Sequence, residues 1–134
     1  MKTNELCTDL RIGNWVKCDN LLCKVVEIYS EDIYCYDQFG EDLHNIEYIQ
    51  PIELTEEVLL KIGFDKHDEA MNIYAFENER AIVVYVPNRK LLKIEGVENG
   101  VLIDRNIRLN NVEHLHQLQN AYYLLTGQEL NIEL

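Results

Sequence analysis

Short stretches of alternating apolar and polar residues dominate the first 53 residues of the chain. Leu10, Ile12 and Val16 recur at alternating positions, which favours a strand with one buried face. Stretches of the same character, rich in β-branched and aromatic residues, span residues 22–29, 33–36 and 43–49. Several short strands at this spacing predict a small β-barrel or a curled meander in this part of the chain.

The pattern changes from strand-like to helical after residue 53. Thr55 is a favourable N-cap because its hydroxyl can accept a hydrogen bond from the first turn, and the two glutamates that follow it suit the positive end of a helix dipole. Gly63 provides a helix stop. These signals predict a helix of about two turns. Its apolar stripe would consist of Val58, Leu59 and Ile62.

Strand-like segments return between residues 72 and 108. They span residues 72–76, 81–86, 91–95 and 101–107. The Asn99-Gly100 pair is the strongest hairpin signal in the chain, because both residues tolerate a positive φ. We therefore expect three or four antiparallel strands in this region.

The last predicted element is an amphipathic helix. Its apolar side chains recur at helical spacing at Val112, Leu115, Leu118, Ala121, Tyr122 and Leu125. We expect Asn110 or Asn111 to cap the start of this helix and Gly127 to end it.

The charge of the chain limits its partners. Among 134 residues, 24 are acidic and 12 are basic, which gives a net charge of −12. Such a chain repels the phosphate backbone of nucleic acids and the anionic surface of membranes. No apolar stretch approaches the ~20 residues that span a bilayer, and the first residues lack the apolar core of a signal peptide. We therefore expect a cytoplasmic protein that binds neither nucleic acid directly nor membrane.

Three blocks of sequence carry a resemblance. They read LRIGNWV at 10–16, PIELTEEVLLKIGF at 51–64 and HLHQLQNAYYLLTGQEL at 114–130. The chain resembles a family of small uncharacterised proteins from phages and mobile elements of Bacteroides and its relatives. The resemblance implies an origin in such an element and action inside the bacterial host cell, and it supplies no site residues. The first block is also similar to the opening of SH3-like small barrels of the KOW and Tudor type.

These elements together predict an α+β fold. Residues 1–53 would form an N-terminal SH3-like small β-barrel. Residues 54–134 would form a short helix, an antiparallel β-sheet and a C-terminal amphipathic helix packed on that sheet. The two regions could also share one compact core.

A concentration of basic residues in the predicted second sheet is the first candidate site. Its arginines are Arg80, Arg89, Arg105 and Arg108. If their strands align, these side chains could form one anion-binding patch, because guanidinium groups bind phosphate and carboxylate in a bidentate manner. The alternative is surface charge that balances nearby acidic residues.

Two further sets of side chains could contact a ligand. Tyr34 and Tyr36 lie two residues apart on a predicted strand, so they point to the same side and form either a stacking platform or part of the core. Their aromatic neighbours are Trp15, Tyr29, Phe39 and Tyr48. On the last helix, His116, Asn120 and Tyr123 share one face and could form a polar strip beside Gln119, or simply a solvated surface.

The sequence contains no recognisable catalytic or cofactor motif. The four cysteines, Cys7, Cys18, Cys23 and Cys35, form no C-x-x-C pair, so reduced thiols without a metal are expected. We therefore expect a non-enzymatic, anti-defence-like binding protein without a cofactor. It would inhibit a host protein or sequester a small nucleotide-like host molecule. An acidic DNA mimic, a small enzyme with an unrecognised site and a homodimer joined by edge strands stay open as alternatives.

Overall fold

The computed structural model describes residues 10–18, 21–29, 33–37, 43–45, 49–132 and 134, with the backbone alone at 43–45. Nine strands are described: β1 (Trp15–Cys18), β2 (Leu21–Ile28), β3 (Ile33–Asp37), β4 (Leu43–Asn45), β5 (Asp65–Asp68), β6 (Ile73–Glu77), β7 (Ala81–Val86), β8 (Leu91–Glu98) and β9 (Val101–Leu109). The described helices are α1 (Glu56–Lys61), the 3₁₀ turn Pro87–Arg89 and α2 (Leu115–Thr126). The chain divides into two compact units, one of residues 1–52 and 114–120 and the other of residues 53–113 and 121–134.

The first unit contains an antiparallel sheet in the order β1-β2-β3-β4. Burial alternates along its strands: Ile33, Cys35 and Asp37 of β3 are buried, whereas Tyr34 and Tyr36 lie on the other side. The core of this unit is apolar and includes Leu10, Val16, Cys18, Cys23, Val25, Ile33, Cys35 and Ile49.

The predicted fold class is wrong. Strand residues account for 48% and helical residues for 19% of the structure, so the class is mostly β rather than α+β. The four-stranded sheet is open, and within the described ranges its first and last strands do not pair to close a barrel. Hairpin spacing predicts that neighbouring strands pair, but closure depends on pairing between the first and last strands, which no local pattern encodes.

The second unit contains a five-stranded antiparallel meander in the order β5-β6-β7-β8-β9. The Asn99-Gly100 hairpin is confirmed: the two residues have φ of 53° and 78° between β8 and β9. Sequence analysis missed β5, because its residues Asp65–Asp68 show no apolar alternation. The residues of β7 and β8 that face the core include Ala81, Val83, Tyr85, Leu92 and Ile94.

Both helices are confirmed, with one boundary corrected. Thr55 accepts a hydrogen bond from the backbone of Val58 at 3.3 Å and caps α1. Helix α2 begins at Leu115, several residues after the predicted caps. The Val112 N–H donates to the carbonyl of Lys90, so the backbone before α2 is used in tertiary hydrogen bonds instead of a helical turn. Within the described residues, neither helix combines the length and the apolar character needed to cross a bilayer.

The ionisation of Tyr85 makes the free energy of unfolding depend on pH in the alkaline range. Its hydroxyl donates to the carbonyl of Val112 at 2.5 Å in a buried position. Burial, and then the nearby Glu113 carboxylate, raise the pKa of Tyr85 above its ordinary value. The folded state therefore holds this proton more tightly than the unfolded state. The resulting stability is present below the ordinary tyrosine pKa of about 10 and is lost as pH rises through the raised pKa.

We therefore expect the free energy of unfolding, measured by urea denaturation, to fall above pH 10. Tyr85→Phe should make this decline shallower, whereas Tyr36→Phe, which changes an exposed side chain, should leave it intact. Equal declines in the wild type and in Tyr85→Phe would contradict the assignment.

Candidate functional site

Two adjoining recesses lie at the end of the five-stranded sheet where the β6–β7 and β8–β9 turns meet. The larger, of about 750 Å³, is lined by residues 77–80 and 97–100. The smaller, of about 330 Å³, is called the arginine recess below. It is lined by Arg80, Gly96, Val97, Glu98, Ile103, Arg105, Leu125 and Thr126.

A β-bulge shapes the arginine recess. Glu95 of β8 pairs with Asn106 of β9, but the next registered pair is Val97 with Leu102, so three residues of β9 face Gly96 alone. A Cβ atom at Gly96 would lie 3.0 Å from Ile103 Cγ1 and 3.1 Å from the Arg105 carbonyl oxygen. The close approach of the two strands at the bulge therefore requires glycine.

Asn78 fixes the backbone of Arg80. Its Oδ1 accepts hydrogen bonds from the N–H groups of Arg80 and Ala81, both at 2.9 Å. Its Nδ2 lies 2.9 Å from the hydroxyl of buried Tyr122, to which it donates. The Arg80 carbonyl in turn accepts from the N–H of Val97 at 2.8 Å. The backbone that carries the arginine is thus held while its side chain extends into solvent.

The charges of Arg80 and Arg105 are available to a ligand. Both side chains are exposed. Neither guanidinium group makes a hydrogen bond or ion pair with any residue that the structure describes. The carboxylate of Glu98 lines the same recess without forming an ion pair to either arginine. Two unpaired guanidinium groups in one concave site favour an anion with several oxygen atoms.

The four arginines of the predicted patch do not lie together in the structure. Arg80 and Arg105 share the recess, whereas Arg89 and Arg108 do not line it. Arg89 belongs to the turn between β7 and β8, at the opposite end of those strands. Arg108 lies three positions beyond Arg105 along β9, or roughly 10 Å away.

The two tyrosines of β3 lie on the same side of the strand, as the alternation predicts. Tyr36 is exposed, and Tyr34 packs edge to face against Tyr29 with ring centroids 5.6 Å apart. The Tyr29 hydroxyl donates to Glu27 at 2.6 Å. Two aromatic residues of the same sequence cluster, Phe39 and Tyr48, lie outside the described residues.

Two of the three residues in the polar strip predicted along the last helix, His116 and Asn120, interact with other residues of the protein. His116 is buried and stacks on His114, with ring centroids 5.8 Å apart. The Asn120 Oδ1 accepts from Asn14 Nδ2 at 2.9 Å and from Arg11 Nε at 3.1 Å. Tyr123 is exposed. Helical spacing showed which side chains share a face, but it could not show that the chain near Asn14 covers part of that face.

Three of the four cysteines lie in the core of the first unit. Cys18, Cys23 and Cys35 are buried and form no disulfide with one another, and Cys7 lies outside the described residues. A hydrogen bond between the thiols of Cys18 and Cys35 raises the pKa of Cys18 and lowers that of Cys35. No group of three or more His, Cys, Asp or Glu residues in the described ranges is arranged to hold a metal ion.

Sequence reasoning missed two residues that build the arginine recess. Asn78 falls between the segments predicted as strands at 72–76 and 81–86, and Gly96 falls directly after the one at 91–95. A single glycine inside a strand is a known signal of a bulge or a close backbone approach, so Gly96 could have been found.

Comparisons with known proteins give no assignment. No family model, curated protein or solved structure matches the chain. The resemblance to phage and mobile-element proteins therefore stays a prediction.

Proposed function

We propose that this protein is a non-catalytic binding protein that sequesters a small phosphate-bearing molecule in the arginine recess. The observation that carries the proposal is the meeting of Arg80 and Arg105 in one recess, where neither has an ion-pair partner among the described residues. Guanidinium groups form charge-assisted, bidentate hydrogen bonds with phosphate oxygens. The phosphate would therefore lie between these two side chains.

The remaining lining supports a nucleotide-like ligand. The volume of about 330 Å³ is at the lower end of the range of small-molecule pockets and suits a mononucleotide rather than a polymer. Ile103 and Leu125 supply apolar surface for a flat ring. Glu98 supplies a carboxylate that can accept a hydrogen bond from an amino or hydroxyl group of the ligand.

The acidity of the chain supports a site that depends on these two arginines. With a net charge of −12, most of the surface repels anions, so a phosphate binds where cationic side chains converge. In a protein of a phage or mobile element, the result would be removal of a small nucleotide-like molecule from the host cytoplasm.

The test is isothermal titration calorimetry with inorganic pyrophosphate and AMP as probes. We expect binding by the wild type and a loss of affinity of about tenfold or more in Arg80→Gln and in Arg105→Gln, because each variant removes a charged hydrogen-bond donor. The matched control is Arg89→Gln, which removes the same charge outside the recess and should bind both probes as the wild type does.

Two outcomes would contradict the proposal. Unchanged affinity in both recess variants would exclude this site, and failure of the wild type to bind either probe would favour the inhibition of a host protein instead. Phosphorus NMR of the same mixtures should show intact probes after prolonged incubation. Turnover of either probe would contradict a non-catalytic role.

A further inference from the structure

The two edges of the five-stranded sheet differ in length and chemistry. The β5 edge has four residues, Asp65–Asp68, and its Lys66 forms an ion pair with Glu56 at 3.8 Å. The β9 edge has nine residues and pairs only with β8 among the described strands. Large apolar side chains are exposed along it, with exposed fractions of 65% at Val101, 56% at Leu102 and 40% at Leu109. A long apolar edge is a template for pairing with another strand, whereas a short charged edge resists it.

The side chains of β9 alternate between its two faces. Ile103 and Ile107 are half-buried and mark the face that packs on the protein. Asp104, Asn106 and Arg108 stand at the alternate positions, which places them on the other face, and all three are exposed. On this face, the acidic Asp104 and the basic Arg108 therefore lie on either side of the neutral Asn106.

Asp104 and Arg108 carry opposite charges on the exposed face of β9. Neither side chain forms an ion pair with a described residue. Arg108 lies directly opposite Lys93 of β8, and like charges in this position are destabilising. Lys93 already has a partner, since its Nζ lies 3.4 Å from Glu95. Arg108 is thus left without an acid on its inner side, and its outer side faces the open edge.

We propose that β9 pairs antiparallel with β9 of a second copy of this chain about a two-fold axis at Asn106. In such a pairing, positions equally far before and after the axis lie opposite each other. Asp104 then lies opposite Arg108 of the partner subunit, and by symmetry this pair occurs twice. On the other face, Ile103 lies opposite Leu109 of the partner subunit, which covers part of the exposed apolar surface.

Charge selects this register over its neighbours. An axis at Arg105 would place two arginines opposite each other, and an axis at Asp104 would place two aspartates opposite each other. Both registers are disfavoured by like-charge repulsion at their centre. An axis at Ile107 would leave Arg108 opposite a neutral asparagine. The register centred on Asn106 is therefore the one in which both charges find partners.

The test is sedimentation equilibrium of the full chain without added ligand, so its outcome is independent of the proposed function. We expect a reversible dimer of twice the protomer mass of 15.8 kDa. Asp104→Arg and Arg108→Asp should each raise the dimer dissociation constant by about tenfold or more, because one reversal makes both symmetric pairs repulsive. The double variant Asp104→Arg/Arg108→Asp should restore dimerisation.

A matched control is Asp65→Arg, which makes the same reversal on the opposite edge and should leave the dimer unchanged. Circular dichroism of every variant would confirm that it is folded. A monomer at all concentrations would overturn the proposal and leave this edge for a strand of a different protein. A dimer insensitive to the single reversals, or not restored by the double one, would overturn the register.

Discussion

Gly96→Val is expected to lower the free energy of unfolding by about 1–3 kcal/mol, the usual cost of forcing methyl groups into a packed region. The same change should abolish measurable binding of pyrophosphate at the arginine recess. Both effects have one cause. A Cβ atom added at Gly96 would lie 3.0 Å from Ile103 Cγ1 and 3.1 Å from the carbonyl oxygen of Arg105. Valine adds two methyl groups, so the bulge must open, which moves Arg105 relative to Arg80.

The measurement combines urea denaturation and calorimetry on the same preparation. Gly96→Ala is the milder variant, and its cost should be partly relieved by Ile103→Ala, because Ile103 contributes two of the three nearest atoms. The contact with the Arg105 carbonyl remains in that double variant. A Gly96→Val protein that binds pyrophosphate as the wild type does would show that the recess is not the binding site.

Elements whose signals are local were predictable from the sequence. The cap at Thr55, the stop at Gly63 and the turn at Asn99-Gly100 each depend on the conformational preferences of one or two residues. The structure has a capped helix and a hairpin at these places, with φ of 107° at Gly63. Such preferences act wherever the residue occurs, so they can be detected without knowledge of the tertiary fold.

Features that depend on pairing between distant strands were not predictable. The first sheet stays open, although its strand spacing is the same as in a small barrel. Arg80 and Arg105 share a recess because of the two extra residues of the bulge in β9. Arg108 lies outside that recess because β9 runs away from it. Sequence analysis could identify the four arginines as candidates, but only the register shows which two share a recess.

The burial of polar side chains was the other feature hidden from the sequence. Asn14 is fully buried, and its Oδ1 accepts from the Arg11 N–H at 2.7 Å. Its Nδ2 donates to Asn120, while Gln119 Oε1 accepts from the Trp15 N–H at 2.9 Å. Polar residues on a helix face normally predict exposure to solvent. Here they accept hydrogen bonds from the backbone N–H groups of Arg11 and Trp15, just before and at the start of β1.

Asn14→Ala is expected to lower the free energy of unfolding by about 3 kcal/mol, because it leaves the partly buried Arg11 N–H without the Asn14 acceptor and removes a donor from Asn120. Urea denaturation measures this change. The matched control is Asn88→Ala, at an exposed asparagine, which should shift stability by at most about 0.5 kcal/mol.

A double-mutant cycle separates an internal role of Asn120 from a ligand-binding one. Asn120→Ala should also lower stability, and the cost of Asn14→Ala/Asn120→Ala should be less than the sum of the single costs, because the two side chains share a hydrogen bond. If instead both single variants were as stable as the wild type, the carboxamides would be exchanging freely with water. The face of the helix at Asn120 would then be open to a ligand, as its polarity first indicated.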